Sequence, residues 1–127
     1  MSFKISGVEV KPIQSKSETI SSRSTYAFTI NDAGKHLRYT GTLNSFWDIV
    51  PTTTVAWGDD TVISIEQAST GQVTIVGKNG VTLSSSTSLL TGGPGSIIHV
   101  KKVGAEEWLV YGDTLDESGM AMIIALA

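Results

Sequence analysis

Cysteine is absent from the 127-residue chain. Disulfides, thiolate zinc sites and thiol chemistry go with it. Proline occurs 3 times, and charged residues make up 17%, below the quarter or so usual in soluble domains. No basic block exists. Nine Lys and Arg stand against 12 Asp and Glu, for a net charge of −3 and a pI near 5.2. The electrostatic footprint of a nucleic-acid binder is therefore missing. Long apolar runs are missing too. MSFKISGVEV has none after a basic start, so no signal peptide is expected. The most apolar stretch, GMAMIIALA at 119–127, is far short of the about 20 residues a membrane-spanning helix needs. No membrane partner is expected.

Hydroxyls fill the place of charge, with 16 Ser and 15 Thr. Ile, Val and Thr together number 38. β-Branched side chains suit a pleated sheet and lose χ1 freedom in a helix. Thirteen glycines supply turns. A disordered chain is excluded by a 40% hydrophobic content and a small net charge. No linker divides the chain, and no segment has a strong helical period. The expectation is one all-β domain over 1–127, an antiparallel sandwich or barrel of short strands at 8–12-residue spacing.

Residues 1–13 read as one strand, with a bulge at Gly7, because Phe3, Ile5, Val8 and Val10 alternate around it. Residues 14–25 are polar and read as an exposed loop or extended arm. YAFTI (26–30) alternates as a half-buried strand, and Asn31-Asp32-Ala33-Gly34 has turn chemistry. HLRYTGTL (36–43) is a strand and Asn44 to Asp48 a loop. PTTTVAW (51–57) is strand-like, and TVISIEQA (61–68) reads as a strand buried on both faces. QVTIVG (72–77) and VTLSSS (81–86) flank Asn79-Gly80, the best hairpin signal in the chain. SIIHVKKV (96–103) and EEWLVYG (106–112) pair as a second hairpin. MAMIIALA closes the chain as a buried strand or subunit contact.

No constellation points strongly to a catalytic or metal site. His36 and His99 lie in different strands, without close ligand spacing around them. Asp59-Asp60 and Asp113, Asp116 and Glu117 lack calcium-loop spacing and read as turn acids, with a glycosidase carboxylate pair, and so a small glycan hydrolase, left open as a rival. GGPGS (92–96) lacks the Gly-Lys-Ser/Thr ending of a phosphate loop, and no Gly-x-Ser-x-Gly elbow occurs. Trp108 reads as core. Trp47 and Trp57, near loops, are the candidates for stacking a glycan, against a prior of core packing. No catalytic residue, cofactor or metal is expected.

The order YAFTINDAGKHLRYTG, TVISIEQASTGQVTIVGKNGVTLSSS, GSIIHVKKVGAEEWLVYGD resembles a module of tailed-bacteriophage fibre and appendage proteins. The matching motifs are Asp32-Ala33-Gly34-Lys35, Gln67…Gly71-Gln72-Val73-Thr74, Gly80-Val81-Thr82-Leu83 and Trp108…Gly112-Asp113. The resemblance covers 26–112 and implies a β-rich virion protein, a homotrimer and no enzymatic role. The short chain, beginning at Met1 without a shaft, suggests a capsid decoration (cement) protein or short head fibre. Its partner would be the major capsid protein, and its location the capsid surface. The N-terminal strand and polar arm (1–25) and the C-terminal apolar strand (113–127) flank the module. Phe3, Ile5, Ile13, Lys16, Ile20 and Arg23 are the capsid-docking candidates. Met122, Ile123, Ile124 and Leu126 are the oligomer-interface candidates. The alternative is the tip of a tail fibre or spike that recognises a host glycan through Trp47 and Trp57.

Overall fold

A computed structural model describes residues 3–5, 8–10 and 16–116. Eleven strands are present among the described residues: β1 (Phe3–Ile5), β2 (Val8–Val10), β3 (Lys16–Ile20), β4 (Thr25–Ala27), β5 (Lys35–Tyr39), β6 (Ser45–Ile49), β7 (Val62–Gln67), β8 (Val73–Gly77), β9 (Thr82–Ser84), β10 (Ile97–Gly104) and β11 (Glu107–Gly112). A 3₁₀ turn spans Ile30–Asp32, and no α-helix occurs among the described residues. The all-β expectation holds.

The strand directions differ from the expected antiparallel order. From β3 to β8 the chain alternates between two sheets, and each return lays a strand parallel to the one before. β5 pairs with β3 and β7, while β6 pairs with β4 and β8, all in parallel. The result is a short solenoid-like stack of coils. Its larger sheet runs β3-β5-β7-β10-β11-β9 and its smaller one β4-β6-β8. Antiparallel pairing is confined to β1–β2, β7–β10 and β10–β11 among the named strands. The β10–β11 hairpin is the expected one, with a register shift between Lys102 and Gly104.

The core lies between the two sheets, and strand alternation decides what enters it. Leu37 and Tyr39 of β5, Ile63 and Ile65 of β7, Ile98 and Val100 of β10, and Trp108 and Val110 of β11 point inward and are buried. From the smaller sheet come Trp47, Ile49, Val73 and Ile75. Parallel register stacks like on like, Leu37 beside Ile65 and Tyr26 beside Trp47 beside Ile75, and the antiparallel β7–β10 pair sets Ile98 beside Ile65.

Several local expectations are corrected. Residues 1–13 hold a hairpin rather than one bulged strand, with Phe3 opposite Val10 and Ile5 opposite Val8. Residues 16–25 are not a free arm. β3 and β4 form the first coil, and Ile20 is buried in the core. Residues 45–49 form β6 rather than a loop, whereas 51–57 form turns rather than a strand.

The Asn79-Gly80 turn has the expected geometry and a different consequence. Asn79 and Gly80 both have positive φ (48° and 96°), and Val81 N–H bonds Lys78 C=O at 3.1 Å. Yet β8 continues the smaller sheet and β9 pairs with β11, so the turn joins two sheets and closes no ladder. A Cβ at Gly80 would meet nothing within 4 Å. Gly80→Val is expected to cost about 1–3 kcal/mol through backbone strain alone, read by denaturant unfolding. A neutral result would show that the turn relaxes without cost.

Candidate functional site

The outer face of the larger sheet carries the chain's most chemically diverse side chains in one row. Inward placement of Leu37, Ile63 and Ile65 sends His36, Arg38, Ser64 and Glu66 outward. Register then sets His36 beside Ser64, Ser64 beside His99, and His99 beside Tyr111. Ser64 Oγ lies 2.8 Å from His99 Nδ1. The His99 and Tyr111 rings are 5.0 Å apart. In the next row, His36 Nε2 donates to Glu66 Oε1 at 2.8 Å and Arg38 Nε donates to the same oxygen at 3.0 Å.

These are the ingredients of a Ser-His-carboxylate site in another arrangement. Such a site needs a carboxylate that orients the histidine serving as base. Here Glu66 is held by His36 and Arg38, and Ser64 is only 9% exposed. The arrangement suits cross-strand pairing, which fixes the register of β5, β7 and β10. The sequence offered the two histidines only as half of a metal site. Only the strand order places both beside Ser64.

The row makes folding sensitive to acid. Burial, then the charge of His36, holds the His99 pKa below its ordinary 6.5, while Asp113 opposes the shift. The folded state thus takes up this proton less readily than the unfolded chain. Stability is lost as pH falls through 6.5 toward the lowered value. The Glu66 carboxyl is held below 4.5, first by its hydrogen bond from His36, and its contribution is lost as pH falls below that value. The unfolding temperature is expected to drop in both windows, and His99→Gln should flatten the first. An unchanged profile in His99→Gln would remove His99 from the account.

The glycan-stacking candidates are interior. Trp47 is 0% exposed and Trp57 5%. Trp47 Nε1 donates to Ser45 Oγ at 2.8 Å, and Trp57 Nε1 to the Val50 carbonyl at 2.8 Å. Neither presents a ring face to a ligand. Trp108 is core, as expected, and packs edge-on against Trp57.

The docking candidates divide. Phe3 and Ile5 belong to the hairpin, Lys16 and Arg23 are exposed, and Ile20 is in the core. Ile13, Met122, Ile123, Ile124 and Leu126 lie outside the described residues. Of the acids, Asp59 and Asp60 sit in a turn and Asp113 at a bend, while Glu117 lies outside the described residues. Asp59 Oδ1 receives the buried Lys102 Nζ at 3.3 Å, and Asp113 Oδ2 accepts Ile97 N–H at 3.1 Å. No group of three or more metal-ligating side chains occurs among the described residues. Nor is any helix among them long and apolar enough to cross a membrane.

One cavity is distinctly apolar. About 480 Å³ in volume, it lies between the end of β4 and the loop after β6. Ala27, Phe28, Ile30, Val50, Val55 and Ala56 line it, with Thr29 and Thr54. Ile30 is 49% exposed there.

Compared with known proteins, the chain matches no family model, no curated sequence and no solved structure.

Proposed function

We propose that the protein is a non-enzymatic structural component of a tailed-bacteriophage virion. It is a capsid decoration protein that binds the major capsid protein on the particle's exterior as a homotrimer and stabilises the lattice. The Tyr26–Gly112 motifs support this reading from the sequence. Within the fold, the observation that carries it is the asymmetry of the stack's two ends.

At one end the larger sheet finishes in β9, a polar edge of three residues. Short polar edges resist strand addition. At the other end β3 and β4 are first-coil strands, each paired with one named neighbour. Beside them in sequence stands the β1–β2 hairpin. Its register sets Phe3, Ile5, Val8 and Val10 at positions of one face, and Lys4 opposite Glu9 on the other. A two-stranded hairpin by itself is marginal in water, and a partner that adds to it would stabilise it. Three such ends on a trimer would raise avidity by roughly 10²–10⁴. Anything that binds only the assembled lattice stabilises that lattice by mass action.

The test is deletion of residues 1–12, which removes the hairpin and spares Ile20. The truncated protein is expected to fold, and to lose at least tenfold in binding to capsids stripped of the native protein. Charge reversal at Lys16 or Arg23 should matter less, by about 0–1 kcal/mol each. Undiminished binding by the truncated protein would locate docking elsewhere and remove the main structural support for the reading.

A further inference from the structure

We infer that the apolar cavity between β4 and the loop after β6 is the seat for the C-terminal segment, residues 118–127, of a second copy of this chain. The inference deepens the trimer aspect of the proposed function and rests on it.

The groove has no charged lining residue, and its floor is the apolar core edge at Phe28 and Val50. An occupant must therefore be uncharged and apolar. Residues 118–127, SGMAMIIALA, carry no charged side chain and include Met120, Met122, Ile123, Ile124 and Leu126. Methionine suits a groove not shaped for one rigid side chain, because its unbranched side chain adapts.

The path of the chain favours a neighbouring copy as the source of the segment. The smaller sheet runs β4-β6-β8. It is extended past β8 by the bridges Thr74–Leu90 and Thr91–Thr114. Leu115 N–H still bonds the Leu90 carbonyl at 2.8 Å. The chain thus leaves at the end of the sheet opposite β4, where the groove lies. Four strand spacings separate the two, roughly 19 Å at about 4.8 Å each. Within one molecule an extended segment, at about 3.3 Å per residue, would reach the groove only by crossing the face of β6 and β8. Between copies arranged head to tail, the exit end of one meets the groove end of the next. Such heterologous contacts close into a ring when the rotation allows it, and every copy then both donates a segment and receives one.

The experiment uses three proteins: the intact chain, a chain ending at Asp116, and the full-length groove variant Ile30→Asp/Ala56→Asp. Both substituted positions are exposed, so the fold should survive. Fluorescence of the buried tryptophans checks it. Light scattering should give about 40 kDa for the intact protein, three chains of 13.4 kDa. The other two should each run as single chains. Mixed together, they should form a one-to-one pair, since one keeps the groove and the other keeps the segment. A labelled peptide of residues 118–127 should bind the shortened chain, and the groove substitutions should weaken it at least tenfold.

A shortened chain that stays trimeric overturns the inference but leaves the trimer and decoration readings standing. A monomeric intact protein whose shortened form binds the peptide places the segment in its own groove. That outcome overturns both the second-copy inference and the trimer. Peptide binding indifferent to the groove substitutions overturns the site.

Discussion

Trp47→Ala is expected to lower the unfolding free energy by about 3–5 kcal/mol, the range for removing a large buried aromatic side chain. Trp47 is fully buried at the centre of an aromatic cluster. The Tyr26, Phe28 and Tyr39 rings lie 4.8, 5.6 and 5.7 Å from it. These rings come from β4, the segment after it and β5, so the one indole ties three stretches of the chain. Edge-on aromatic pairs add about 0.5–1.5 kcal/mol each beyond area burial. The adjacent Phe46→Ala is the control. Phe46 points outward and is 51% exposed, and a surface change of this kind stays within about 0.5 kcal/mol. Equilibrium denaturation of both variants measures the difference. Similar losses for the two would mean that β6 is not in this register.

That pair of neighbours also marks how far the fold was legible in the sequence. The abundance of Ile, Val and Thr and the absence of a helical period pointed correctly to an all-β chain. Asn44 to Asp48 read as a loop because polar residues flank the aromatics. In the fold, Ser45, Trp47 and Ile49 share the inward face, and the Ser45 hydroxyl is buried as the acceptor for the Trp47 indole. A buried serine looks like a loop residue until its partner is known. Strand direction was not legible either. A turn such as Asn79-Gly80 has the same chemistry whether the chain folds back on its strand or crosses to another sheet. The stacked coils are also of unequal length: Ser17, His36 and Ser64 are neighbours in the sheet at uneven intervals along the chain. No fixed repeat betrays the stack. The histidine row was hidden for the same reason, since it exists only through pairings of β5 with β7 and β7 with β10.

Gly71→Ala is expected to cost about 1–3 kcal/mol, the range for forcing extra volume into a packed site. Gly71 has no positive φ, so backbone conformation is not the cause. The cause is the stacking of successive corners. Gly71 N–H bonds the Gly41 carbonyl at 3.0 Å. A Cβ on Gly71 would stand 2.4 Å from the Leu43 oxygen and 2.6 Å from the Gly41 oxygen. Both atoms are backbone, so relief requires the coils to separate. Gly41→Ala presses on the preceding corner, at 2.5 Å from the Ser22 Cα and from the Tyr39 ring and hydroxyl. That hydroxyl bridges the first two corners, lying 2.8 Å from the Arg23 carbonyl and 2.7 Å from the Leu43 carbonyl. The two substitutions press on successive corners but both strike the Tyr39 side chain, so the double variant should lose less than the sum of the singles. Full additivity, measured by chemical denaturation, would mean that the two corners yield independently. The parallel stacking of β5 on β7 would then need another explanation than close approach at these glycines.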